Sequence, residues 1–310
     1  MRPLVALAPA KVNLCLYVGA PRADGYHPLV SVFQAVSLAD ELRLEPAAGT
    51  ADEVVCAGVA GPNLAATALA RFRTAAGWDA PPVRLTIVKR IPVAAGMGGG
   101  SADAAAALRL AAHAAGRPGD PLLDELAPGL GADVPSALRP GRALVTGIGE
   151  RVEPLEPGEP RAVVVVPSAE ALSTPAVYRE ADRLGLGRPP EALAAAERAL
   201  RAALVAGEPP PPVNDLQDAA RSLCPSIDAA LAAVRATGAD AALVSGSGPT
   251  VFGTFGGDDA LGRAQAAAAA LRERHPGTVA ATAAGPAVAA VREAPLSSSA
   301  PPDRGESPAS

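Results

Sequence analysis

The chain has 310 residues, 49% of them apolar and 3% aromatic, with 27 basic and 32 acidic side chains and a net charge of −5. That length holds one large domain or two ordinary ones with a full core. The acidic balance without a basic block disfavours a nucleic-acid partner, and no apolar run free of Gly, Pro or charge is long enough to span a membrane. Cys15, Cys56 and Cys224 are scattered, which excludes a disulfide framework or a clustered zinc site and fits a reducing, cytoplasmic setting. The opening run to residue 10 ends in Ala-x-Ala, but its two prolines and the alternation that follows argue against an export signal.

Residues 11–18 alternate, with Val12, Leu14, Leu16 and Val18 on one face of a strand and Lys11, Asn13, Cys15 and Tyr17 on the other. Lys11 and Asn13 therefore point the same way. Further strands are expected at 30–36, 40–45 and 83–89. Asn63 opens a helix to 76, and Ser101, as N-cap, opens another to 115. A proline-punctuated stretch at 154–160 reads as a linker. Beyond it come a strand at 162–166 and helices near 175–184, 190–206, 214–222 and 226–237. Strands at 241–244 and 250–255, a helix at 259–273 and strands near 278–291 complete the order. The composition of 294–310 reads as a disordered tail. The chain is expected to be α+β with two domains, 1–158 and 159–293.

Only Lys11 and Lys89 are lysines, and only Asn13, Asn63 and Asn214 are asparagines. In so Arg- and Ala-rich a chain, these few are candidates for chemical necessity. The strongest local signal is the loop Pro92-Val93-Ala94-Ala95-Gly96-Met97-Gly98-Gly99-Gly100-Ser101-Ala102, set between strand and helix. Its glycines can take positive φ and bring bare N–H groups to a ligand, and the helix adds its dipole, so an anion site is the natural reading. No lysine follows as a P-loop requires, and Ser101 stands where a dinucleotide fingerprint needs glycine.

Other motifs stay open when read singly. The second glycine loop, 245–250, could be a plain turn, and Asp133 in Gly131-Ala-Asp133-Val-Pro135 could be a turn or cap residue. His27, beside Tyr26 and an Asp-Gly turn, could contact a planar ring; His113 and His275 need only structural or solvated roles.

Together the motifs resemble the GHMP kinase superfamily, and within it the branch acting on a cytidine-diphosphate-linked methylerythritol. Pro9-Ala-Lys-Val-Asn-Leu14, Arg22-Ala-Asp-Gly-Tyr-His27 leading to Ser31-Val-Phe-Gln34, the loop at 92–104 and Gly131-Ala-Asp-Val-Pro135 carry the likeness. Thr174-Pro-Ala-Val-Tyr178, Asn214-Asp-Leu216 and 245–250 continue it, over about residues 5–290.

The resemblance implies a two-domain architecture with its active site in the interdomain cleft. It also implies transfer of the γ-phosphoryl group of ATP to a tertiary hydroxyl of that substrate. Asp133 would take the hydroxyl proton, and Lys11, beside Asn13, would stabilise negative charge. The loop from Pro92 to Ala102 would wrap the triphosphate, with Ser101 on phosphate or magnesium; Asn63 and Lys89 would lie near the adenosine end. Lys89 is equally readable as a solvated strand-end lysine. Tyr26, His27 and Tyr178 would read the cytosine, and Thr174 would touch nucleotide or cap the helix that Pro175 begins. Met97, Ala102, Ser136, Ala137 and Tyr178 depart from the usual pattern and bear on pocket shape. The motifs place no carboxylate as a magnesium ligand, so Mg2+ would be held largely by ATP. No nucleic-acid or membrane partner is expected, and the chain would act as a monomer or homodimer. The alternatives are a GHMP kinase for homoserine, mevalonate or a sugar, or a nucleotide-binding relative without turnover.

Overall fold

In the computed structural model, which describes residues 1–59, 61–159 and 161–294, two long antiparallel strands dominate the first half: β1 (Leu4–Val18) and β2 (Leu29–Pro46). The tail expected at 294–310 lies, beyond residue 294, outside the described residues. The strands expected at 30–36 and 40–45 are one, because a register shift between Pro9 and Lys11 absorbs the extra residues of β2 and pairing resumes beyond it. Then come β3 (Glu53–Cys56), α1 (Leu64–Ala76), β4 (Val83–Val88), α2 (Gly99–Ala114), α3 (Leu122–Leu126), α4 (Val134–Leu138), β5 (Arg142–Thr146) and β6 (Arg151–Pro154). The second half holds β7 (Arg161–Val166), α5 (Thr174–Arg183), α6 (Pro190–Val205), α7 (Gln217–Leu223), α8 (Ser226–Ala236), β8 (Ala241–Val244), β9 (Val251–Gly256), α9 (Ala260–Leu271), β10 (Val279–Thr282) and β11 (Arg292–Glu293).

One sheet runs β11-β1-β2-β4-β3, with β5 on the other half of β2 and β6 on β5; the second runs β10-β7-β9-β8. The sheets part between Pro154 and Arg161. Residues 283–293, expected with the second half, return to the first: Ala284 donates to the Ala35 carbonyl and β11 pairs with β1.

The register shifts in β1 decide which side chains face the site. Leu4, Ala6 and Ala8 pack with α1 and α2, but past the first shift Ala10, Val12 and Leu14 pack into the core between the sheets. Lys11 and Asn13 are thereby turned to the other side. A second shift, between Asn13 and Cys15, corrects the expected alternation: Cys15 and Tyr17 join Val12 and Leu14, while Leu16 and Val18 enter the core of the second half.

Helix α2 is buried on nearly every side, with Ala104 to Ala107, Leu108, Leu110 and Ala111 inside. A helix apolar all round belongs in an interior, and its methyl-sized side chains let it lie close under the sheet, so the loop before it sits deep in the molecule. Val163, Val165, Leu243 and Phe252 meet Val12, Val30 and Val32 in the core that joins the sheets.

Candidate active site

Lys11, on β1, brings its Nζ to 3.4 Å from Asp133 Oδ2. The ammonium donates to Asn13 Oδ1 at 2.9 Å and lies 4.6 Å over the Phe33 ring, a cation–π contact that orients it. Asn13 is buried, and its Nδ2 donates to Ser31 Oγ at 2.9 Å, so its amide serves to hold Lys11 in place. Asp133 occupies the N-cap position of α4, yet its side chain makes no capping bond. Its carboxylate is left for Lys11. Pro9, Phe33, Ala35, Ser136 and Ala137 line a niche of about 20 Å³ beside the pair. A cavity of about 970 Å³ shares only Gly141 and Ala143 with that niche and borders neither Lys11 nor Asp133.

The first glycine loop closes over this pair. The Lys11 N–H donates to the Met97 carbonyl at 3.0 Å, with Met97 itself buried. Gly98, at φ +69°, is the N-cap of α2, which corrects the expectation for Ser101: Ser101 lies within the helix's first turn. Glycine offers no capping side chain, so the first N–H groups of α2 have no such partner at the loop. A Cβ on Gly96 would lie 2.2 Å from the Ser245 carbonyl oxygen, so the two glycine loops touch backbone to backbone.

Ser245 Oγ donates to the Gly96 carbonyl at 3.1 Å, and a Cβ on Gly246 would sit 3.6 Å from Lys11 Nζ. Asn214 secures this second loop, donating to the carbonyls of Val244 and Gly246 at 2.8 Å each. Residues from both halves thus converge on one cleft.

His27 and Tyr178 meet in the same cleft, ring centroids 4.8 Å apart, and His27 Nε2 lies 2.8 Å from Asp182 Oδ1. Burial, and after it the charge of Asp133, push the Tyr178 hydroxyl up to about 12. Tyr26 is 59% exposed. Thr174 is the first residue of α5 and its hydroxyl bonds Ser247 Oγ at 3.0 Å; Ser173, not Thr174, caps the helix.

Lys89 is not a solvated strand-end lysine. Its ammonium is held between Asp40, which is wholly buried, and Asp103, at 2.7 Å. Burial lowers its pKa but the bonds to Asp103 and Asp40 outweigh that and raise it. Burial also raises Asp103, to about 7, against the opposing pull of Lys89. Asp40 further accepts the N–H groups of Arg90 and Ile91 at 2.6 and 2.8 Å, tying the entry of the glycine loop to β2. With both carboxylates on it, Lys89 is not a free cation for the adenosine end. Asn63 likewise has a local task, its Oδ1 capping α1 through the Ala65 N–H at 2.9 Å.

The rarity of lysine and asparagine therefore marks residues with specific hydrogen bonds, only some of them at the site. Ser31 and Phe33, inside the stretch 31–34 that carries the likeness but with no role given there, and Asp182, outside every motif, are neighbours of the site; strand pairing and helix packing bring them there. Among the described residues no three carboxylate, imidazole or thiol groups cluster as a metal cage, and no helix is long and apolar enough to cross a membrane.

Comparison with known proteins bears on the family and the fold. The GHMP kinases N terminal domain matches residues 63–140 and the GHMP kinases C terminal domain residues 190–277. A Streptomyces coelicolor protein named 4-diphosphocytidyl-2-C-methyl-D-erythritol kinase is 50% identical over 257 residues, 78% of this chain and 84% of the relative. A Kineococcus radiotolerans protein of the same name is 45% identical over 271 residues, 80% of each chain. A crystal structure of 4-(cytidine 5'-diphospho)-2C-methyl-D-erythritol kinase matches with a TM-score of 0.72 at 40% identity, covering 91% of this chain and 99% of that one. Homoserine kinase from Cytophaga hutchinsonii, at 17% identity and a TM-score of 0.67 over 92% and 95% of the two chains, shares the fold. Matched in both halves and across most of its length, the chain belongs to the GHMP kinase family.

Proposed function

We infer that this chain transfers the γ-phosphoryl group of ATP to the tertiary hydroxyl of 4-(cytidine 5'-diphospho)-2-C-methyl-D-erythritol, giving the 2-phosphate and ADP. The observation that carries the chemistry is the Lys11–Asp133 pair at 3.4 Å under the glycine loop; the names of the relatives at 45–50% identity carry the substrate. Phosphoryl transfer asks a protein for positioning, charge stabilisation and one group to take the acceptor proton. Asp133 takes that proton as the hydroxyl oxygen attacks phosphorus and the bond to the leaving ADP oxygen breaks. Lys11, 3.4 Å from that carboxylate, offsets negative charge on the transferred group. The uncapped N–H groups at the start of α2, with the loop from Pro92 to Ala102, cradle the phosphates.

Bound with the triphosphate, Mg2+ would supply charge neutralisation there. The residues present fit an ion held mainly by phosphate oxygens: the first turn of α2 offers one hydroxyl, Ser101, and among the described residues no carboxylate cage forms.

His27 and Tyr178 receive the cytosine, where stacking on a ring is worth roughly 1–3 kcal/mol. Asp182, 2.8 Å from Nε2 of His27, holds the ring in place for the base. The test is ADP release with the cytidine-linked substrate beside mevalonate, homoserine and galactose. Turnover with the first alone is expected, and turnover only with one of the others overturns the reading.

A further inference from the structure

Arg109 stands out among the charged groups that the phosphoryl transfer does not use. It lies inside α2, and among the described residues no carboxylate is within ion-pair reach of it. Its Nη1 donates to the carbonyls of Ala137 and Leu138 at 2.7 and 3.2 Å, and its Nη2 to the carbonyl of Leu7 at 3.0 Å. Its Nε is shut off from solvent without a partner. Burial lowers its pKa to about 10, so it still carries its charge at neutral pH. A charged guanidinium held largely out of solvent on main-chain carbonyls is costly to bury, and what it joins gives the reason.

Ala137 and Leu138 end α4, the five-residue helix that Asp133 begins. Leu7 lies four residues before Lys11 on the same strand, β1. Arg109 itself belongs to the helix whose first turn ends the glycine loop. One side chain thus bonds the segments bearing Lys11 and Asp133, and does so from the element that ends in the phosphate cradle. A helix as short as α4 has no stability of its own, and its last carbonyls need donors; a cation at that end also suits its dipole.

We propose that Arg109 is a positioning residue for phosphoryl transfer, fixing the tilt of α4 against β1 and so the approach of the Asp133 carboxylate to Lys11 and the acceptor hydroxyl. At about 1.5 Å per residue α4 and its cap span roughly 7 Å, so a tilt of about 10° moves Asp133 by about 1 Å. A misplacement of that size can lower a rate about 100-fold. Phosphate binding depends on the opposite end of α2 and is left intact. This inference rests on the role given to Asp133.

The experiment compares Arg109→Lys and Arg109→Met in the full chain, with ATP and the cytidine-linked substrate. Arg109→Met should lower kcat about 100-fold and Arg109→Lys, keeping charge but not the forked geometry, about 10-fold. KM for ATP should stay within about 2-fold in both. If the methionine variant does not fold, the lysine variant alone decides. A folded Arg109→Lys with the kcat of the parent, or with a loss confined to KM, overturns the proposal.

A double-mutant cycle separates this from the underlying reading. In an Asp133→Asn background Arg109→Lys should cause no further loss, whereas the same fractional loss in both backgrounds overturns action through Asp133. Parent-like turnover of Asp133→Asn by itself removes the base and this proposal with it. Parent-like turnover of Arg109→Lys beside a crippled Asp133→Asn removes this proposal only.

Discussion

At the scale of single residues, Asp133 shows how position and chemistry separate. It stands where a helix cap stands, but its side chain faces Lys11 at 3.4 Å instead of bonding the helix N–H groups. A general base contributes about 10²- to 10⁴-fold, so Asp133→Asn is expected to lose at least about 10²-fold in kcat while ATP affinity, measured by a fluorescent analogue, is kept. A capping residue would behave differently, losing about 1 kcal/mol of stability and little turnover. Lys11 and Asp133 were recognisable because each sits in a motif; the link between them spans more than a hundred residues and depends on α4 packing on α2. Lys89 had the opposite history. Its rarity and place beside the loop suggested ligand contact, but Asp40 and Asp103, far from it in sequence, enclose it.

That enclosed group also carries a pH signature. The folded protein holds a proton on Asp103 up to about pH 7, whereas an unfolded chain releases it near 3.8. Asp103 therefore binds more proton in the native state between these values, and its own contribution to stability falls as pH rises from about 4 to about 7, then levels off. Thermal melts of the parent and Asp103→Asn across this range should show the gap between their Tm values changing up to about pH 7 and constant above it. A gap independent of pH would count against a protonated Asp103.

At the scale of elements, the two glycine loops act as one part. A Cβ at residue 96 would lie 2.2 Å from the Ser245 carbonyl oxygen, at a φ of +72° that side chains disfavour. Gly96→Ala should part the loops and raise KM for ATP by about tenfold or more, roughly 1.4 kcal/mol of binding, as steady-state kinetics would register. The first loop was legible from composition alone. The second was ambiguous because a turn between strands uses the same residues; its partner across the cleft, not its own sequence, distinguishes it. The elements that went unread, β3, β5, β6, α3 and α4, are four or five residues each, too short to display a period. Long strands were located but misjudged in extent and facing, since a bulge leaves no mark in an alternating apolar pattern.

At the scale of the whole molecule, the core between the sheets ties the halves together. Phe252 is fully buried there with Val163 and Val165 of one sheet and Val12 and Val32 of the other. Phe252→Ala should cost about 3–5 kcal/mol, and calorimetry should show one cooperative transition at lower temperature for the entire protein. Two separated transitions would mean that the halves unfold independently. The return of β11 to the edge of β1 and the bond from Ala284 to Ala35 add to that continuity.

Sequence by itself determined the element order through the second half, the phosphate-type loop before α2, the orientation of Lys11 with Asn13 and the likeness to GHMP kinases, because these depend on spacing within short stretches. Tertiary structure decided which lysine meets Asp133 and which is enclosed by two other carboxylates, which helix Asp133 begins, and how Gly96 meets Ser245. These are contacts between residues distant in the chain, and they arise only when an alanine helix, two bulged strands and a second sheet pack against one another.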